Sequence, residues 1–213
     1  MPQSALILVD LQNDFLPGGA LAVAEGDRVI PIANALLPHF PLVVATQDWH
    51  PANHGSFAAQ HPGRAPGEVI DLHGLSQVLW PVHCVQDSPG AAFAPGLDVA
   101  RVDQVFPKGT DPTTDSYSGF FDNGHRRATG LGDALRAQGV QEVTVLGLAT
   151  DYCVKFTALD ALAEGFRVQL VTDACRGVDL QPGDVDRALT AMQRAGVTLT
   201  SSADLLARAA ARG

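Results

Sequence analysis

EVTVLGLATDYCVKFTALDALAEGFRVQLVT, residues 142–172, holds the fold in miniature. Glu142 to Leu148 is a short, nearly unbroken apolar run, the pattern of a parallel strand buried on both faces. Asp151 to Glu164 carries apolar residues at helical spacing, and Gly165 follows as a stop signal. Phe166 to Thr172 is a second apolar run. Strand, helix and strand in this order make a crossover unit, which predicts parallel strands.

Working outward, Ser4–Val9 (SALILV) and Pro41–Thr46 (PLVVAT) have the same strand character, with Arg101–Phe106 and Val197–Thr200 as weaker candidates. Helical patterns cover Arg28–Phe40, with Pro31 in the first turn, Leu131–Gln138 and Pro182–Ala195. Gly139 and Gly196 close the last two, and the Ala/Arg-rich C-terminal end reads as a surface helix. The alternation predicts an α/β fold with helices on both faces of a parallel sheet. Residues 47–100 break the rhythm. They are rich in Pro, Gly and His and hold both tryptophans, and a connection that long inside a domain is usually functional.

With 213 residues the chain is expected to form one domain, 1–213. Its 46% hydrophobic and 17% charged content argues against disorder. A formal net charge of −9 disfavours nucleic acid and anionic membrane surfaces, which attract basic faces, and suits a small neutral substrate. No apolar run approaches the roughly 20 residues of a bilayer span, and no basic n-region precedes the first strand, so the cytoplasm is the expected compartment. The three cysteines, Cys84, Cys153 and Cys175, are widely spaced and odd in number, and read as free thiols.

In open parallel sheets, ligands bind at the carboxyl ends of the strands, near the point where strand order reverses. Asp10 follows the first strand, Asp48 and His50 the second, Lys108 the third candidate, and Cys153 the strand ending at Leu148. Thr150 or Asp151 is placed to cap the next helix, which sets Cys153 near the positive end of its dipole and predicts a depressed thiol pKa. A nearby Lys108 would depress it further. Asp10 would oppose that shift while supplying the proton acceptor that nucleophilic attack needs. The competing reading of a lone helical cysteine is a small buried apolar residue, and Cys84 and Cys175 are read that way. Lys108, taken alone, would be an ordinary exposed lysine.

Asp48-Trp49-His50 is a D-x-H pair on an extended segment, where alternate side chains point the same way. His54 and His83 could complete a divalent metal site, whose imidazole and carboxylate donors suit zinc, manganese or iron. Cys84 rivals His83 as a ligand, but neighbours on an extended segment point oppositely. His39, His61, His73 and His125 lack such a context and read as solvated. Phe15, Trp80 and Tyr117 are candidates for an apolar box around an aromatic ring, or for core packing.

The chain as a whole resembles the isochorismatase-like cysteine hydrolases, and within them the nicotinamidase subfamily. The markers are LVDLQNDF (8–15), TQDWHP (46–51), NHGSF (53–57), WPVHCV (80–85), Lys108-Gly109, DSYSGFF (115–121) and GLATDYCV (147–154), matching in order over nearly the whole length. The resemblance implies a Rossmann-like three-layer fold with a six-stranded parallel sheet and a catalytic triad of Asp10, Lys108 and Cys153. It also implies one divalent metal, zinc first with manganese or iron as alternatives, on Asp48, His50 and His83. His54 is the candidate where a fourth protein ligand is used. A non-proline cis peptide is implied at Leu148–Ala149, with the amides of Ala149 and Cys153 forming an oxyanion hole. The expected reaction is hydrolysis of nicotinamide to nicotinate and ammonia within NAD salvage, with pyrazinamide as a further substrate. Phe15, Trp80, Tyr117 and Ala149 would then contact the substrate. The rival readings are an amidase of carbamoyl or ureido substrates, an isochorismatase, and a non-catalytic scaffold. Oligomeric state is left open.

Overall fold

Strand β1 (Gln3–Val9) is buried at every position from Ala5 to Val9, as a strand covered on both faces must be. The computed structural model describes residues 3–211. After β1 come α1 (Val29–Leu36), β2 (Val43–Asp48), a hairpin of β3 (Val69–Leu72) and β4 (Leu75–Val78), then β5 (Gln104–Lys108) and α2 (Leu131–Ala137). The second half runs β6 (Val140–Leu148), α3 (Lys155–Ala163), β7 (Arg167–Arg176), α4 (Asp184–Ala195), β8 (Thr198–Thr200) and α5 (Ser202–Ala210).

Six strands form one parallel sheet in the order β5-β2-β1-β6-β7-β8, as expected for this fold class. The chain builds outward from β1 through β2 to β5, then returns to the other side of β1 to lay down β6. The reversal therefore falls between β1 and β6. Right-handed crossovers on the two sides of that point put helices on opposite faces. Helix α1 packs on α5, and α3 packs on α4.

Several elements differ from their sequence-based expectations. The helix expected over 28–40 ends as α at Leu36, because Pro38 takes the following residues into a 3₁₀ turn, Leu37–His39. The strand expected at 101–106 lies at 104–108, after a 3₁₀ turn at Val99–Arg101. The helix expected from Asp151 begins as a π turn, Thr150–Val154, and becomes α only at Lys155. The segment 47–100 is not all loop: β3 and β4 pair antiparallel within it. No helix among the described residues is long and apolar enough to cross a membrane.

Candidate active site

Four strand ends on either side of the reversal point supply the reactive groups. Asp10 follows β1, Asp48 ends β2, Lys108 ends β5, and Cys153 sits in the π turn after β6. Parallel register sets Asp48 directly beside Lys108. Gln12, fully buried, fixes the end of β2: its side-chain amide donates to the carbonyls of Asp48 and Ala91 and accepts from the Asp48 amide, each at 2.8 Å. Thr46, also on β2, donates its hydroxyl to Asp10 Oδ1 at 2.6 Å and accepts from the Asp10 amide at 3.2 Å.

Lys108 is the hub. Its ammonium lies 2.8 Å from Asp10 Oδ2, donates to Asp48 Oδ1 and to the Ser116 carbonyl at 2.9 Å, and reaches Cys153 Sγ at 3.5 Å. At 2% exposure it is no surface lysine. Burial alone would push the ammonium down, yet Asp10 and Asp48 outweigh it and hold Lys108 well above its ordinary value. Burial would raise the Asp48 carboxyl, but the Lys108 ammonium and His50 hold it well below the usual carboxylate range. Asp10 goes the other way: complete burial outweighs Lys108 and raises its carboxyl.

Cys153 corrects an expectation. Burial pushes its thiol well above the ordinary value, with Asp10 and Asp48 adding to the rise and only Lys108 opposing it. Neither Thr150 nor Asp151 caps the turn; the Asp151 carboxylate instead takes the amides of Val178 and Asp179 across the site. Two anions and a dry surround thus outweigh one cation and a helix end. The raised Cys153 thiol therefore lies beside the raised Asp10 carboxyl, an arrangement in which a carboxylate can take a thiol proton. The Leu148–Ala149 peptide is cis, as expected. The Ala149 carbonyl accepts from the amides of Tyr152 and Val154, both at 3.1 Å, bypassing that of Cys153.

Beside this cluster Asp48, His50 and His83 converge, all buried. His50 Nδ1 donates to the Gly109 carbonyl at 2.8 Å and His83 Nδ1 to the Pro81 carbonyl at 2.7 Å. A carbonyl can only accept, so Nδ1 of each ring carries a proton and Nε2 is the nitrogen turned toward Asp48. Asp48 Oδ2 lies 3.5 Å from His50 Nε2 and 3.7 Å from His83 Nε2. Donors on a tetrahedral zinc are separated by roughly 3.3 Å, given bonds of 2.0–2.1 Å, so the set fits such an ion with little movement. His54 lies behind His50, ring centroids 4.2 Å apart, with Nδ1 on Ser56 Oγ at 2.7 Å and a buried Nε2 that has no protein partner. Cys84 is not among the converging donors. Its backbone adopts φ +45° rather than the extended form, and burial raises its thiol.

A small chamber opens over Cys153, lined by all four expected contacts, Phe15, Trp80, Tyr117 and Ala149, together with Asp48 and His83. The Tyr117 hydroxyl accepts from Trp80 Nε1 at 3.2 Å and from Gln77 Nε2 at 3.1 Å, so β4 holds the aromatic wall in place. The sequence reading missed Leu21, Asp115, Tyr152 and Val178, which also line it. Tyr152 adjoins Cys153, so a π turn recognised in the sequence would have exposed it; Leu21 and Val178 come from loops that carry no such signal. His61, expected in solvent, donates to the Gly55 carbonyl at 2.7 Å.

Comparison with known proteins gives the family. The chain matches the Isochorismatase domain family over residues 4–204. It is 54% identical to the nicotinamidase of Escherichia coli over 208 residues, covering 96% of this chain and 97% of that one. Among solved structures, a nicotinamidase/pyrazinamidase of Acinetobacter baumannii superposes with a TM-score of 0.93 at 48% identity, covering 96% and 99% of the two chains. The pyrazinamidase of Pyrococcus horikoshii in complex with zinc superposes with a TM-score of 0.76 at 42% identity, covering 94% and 99%.

Proposed function

The chain belongs to the isochorismatase family, and from that premise we infer that it hydrolyses nicotinamide to nicotinate and ammonia through a thioester on Cys153. Pyrazinamide, which offers the same carboxamide on a ring of the same size, is a further substrate. What carries the reading is Lys108, whose ammonium reaches Asp10, Asp48 and Cys153 at once and so ties the nucleophile and its base to the metal-type donor set. The whole chain works as one domain around this site, in the cytoplasm, where three free thiols stay reduced.

Asp10 takes the proton of the neutral Cys153 thiol as sulfur attacks the carboxamide carbon. The amides of Ala149 and Cys153 hold the oxyanion, a contribution of about 3 kcal/mol per donor in comparable sites. Asp10 then protonates the amide nitrogen, a poor leaving group that departs only as ammonia. The same carboxylate activates water to hydrolyse the thioester. Lys108 keeps Asp10 within the range where it can both take and return a proton. Phe15, Trp80 and Tyr117 bracket the ring. Asp48, His50 and His83 would hold a divalent ion, zinc in the first instance, which when bound supplies a Lewis-acid partner for the pyridine nitrogen and so orients the ring.

The carbamoyl-amide reading has no use for that donor triad, and an anionic isochorismate would meet Asp48 and Asp115 on the chamber wall. Ammonia release from nicotinamide by purified protein, with and without chelator and after thiol alkylation, tests the proposal. Release abolished by both treatments is expected. No release by metal-loaded, reduced protein refutes nicotinamide as substrate.

A further inference from the structure

The chamber over Cys153 is the smaller of two adjoining spaces, so a ring that carries a bulky substituent must displace part of its wall. Phe15, Trp80 and Cys153 are each less than a tenth exposed and cannot swing outward. Four half-buried residues form the rim: Leu21, Tyr117, Tyr152 and Val178. Leu21 and Val178 are aliphatic, and of the two aromatic rings Tyr117 is tethered, its hydroxyl accepting from Gln77 Nε2 and Trp80 Nε1. The Tyr152 hydroxyl has no hydrogen bond to any described residue. Its ring stands edge-on to Trp80 at 4.8 Å and to Tyr117 at 5.4 Å, held by these contacts alone.

Behind Tyr152 an open groove of about 460 Å³ runs between β4, α3 and α4. Tyr117 and Tyr152 line both spaces, so their rings are the partition between them. On the groove side Phe156 is 37% exposed and stacks on Tyr117 at 5.5 Å and 27°. An aromatic shelf therefore continues past the partition, in a groove whose charged groups, Lys155 and Arg187 against Asp151 and Asp184, are balanced. Such a surface suits a neutral aryl group.

We propose that the Tyr152 ring is the size filter of the chamber, and that the groove behind it is a subsite for aryl substituents on a pyridine carboxamide. The proposal rests on the carboxamide-hydrolase reading above. With Tyr152 closed, the unsubstituted ring fits, while a substituted ring meets the partition. Removing the ring joins chamber and groove and lets the substituent lie along Phe156.

The test compares kcat/KM for nicotinamide and for nicotinamides bearing a phenyl group at C4, C5 or C6, in wild type, Tyr152→Ala, Tyr152→Phe and Val178→Ala. Tyr152→Ala should gain at least tenfold on one or more phenyl substrates and lose on nicotinamide. Tyr152→Phe should keep the wild-type order of preference, because the hydroxyl is untethered. No gain in Tyr152→Ala, or an equal gain in Val178→Ala, overturns the proposal. Tyr152→Val serves if the alanine variant does not fold, and is held to the same outcome. A wild type that releases no ammonia from nicotinamide refutes the functional reading itself. A wild type that does, with no gain on opening Tyr152, refutes only the filter.

Discussion

Replacing Gln12 by Met keeps the length and bulk of the side chain but removes its amide. Three buried hydrogen bonds of 2.8 Å go at once, leaving the Asp48 amide and carbonyl without these partners, while the Ala91 carbonyl keeps the Gln47 side-chain amide at 2.9 Å. A buried polar group left unpaired costs about 1–3 kcal/mol, so a plain sum for the two is about 2–6 kcal/mol. Both belong to one residue and relax together, which favours the lower part of that range, about 2–4 kcal/mol. For a chain of this size about 2–4 °C of Tm corresponds to each kcal/mol, giving a fall of about 4–16 °C. Both orphaned groups are the backbone of Asp48, so zinc affinity should weaken at least tenfold, about 1.4 kcal/mol. Thermal unfolding in chelator reads the first effect, and zinc competition against a chromophoric chelator on the folded variant reads the second. A loss below about 1 kcal/mol, or a destabilised variant that binds zinc as tightly as wild type, would refute the assignment of Gln12 as the clamp on Asp48.

Cys153→Ala should abolish turnover while zinc content stays at the wild-type level; residual hydrolysis above the uncatalysed rate would exclude the thioester route. Gly109→Ala should weaken zinc binding, because a Cβ there would stand 2.4 Å from His50 Cε1 on a backbone at φ +64°. An unchanged zinc Kd in that variant would show that His50 is not held by the Gly109 turn. The acid limb of kcat/KM should lie above 3.8, because burial raises Asp10 and the base must be ionised to take the thiol proton. In Lys108→Met it should move higher still, since the ammonium is what holds Asp10 down; a limb that moves lower contradicts the pairing.

The strands around residues 142–172 were legible because both faces of β6 and β7 are covered, so the apolar run is nearly unbroken. β5 was harder to place. At the sheet edge it buries only Phe106 and Lys108, and a strand that shows most of its side chains to water leaves little pattern. The β3–β4 hairpin turns on His73 and Gly74, both at positive φ, and His-Gly is a far weaker hairpin signal than Asn-Gly. The positions of Asp10, Asp48, His50, His83, Lys108 and Cys153 were readable from strand ends and from the family resemblance. Their electrostatics were not. The direction of the Cys153 shift depends on how completely the thiol is dried and on how many anions face it, and neither is written in local sequence.

Lys108 rides on β5, which has a strand neighbour on one side only. An edge strand peels away by local opening at a lower free energy than the whole sheet unfolds. Heating or mild denaturant should therefore silence the enzyme while its circular dichroism is still native, and the loss should reverse on cooling. Shelf life and Tm become different properties in this protein, and whoever wants a durable catalyst should brace β5 rather than enlarge the core.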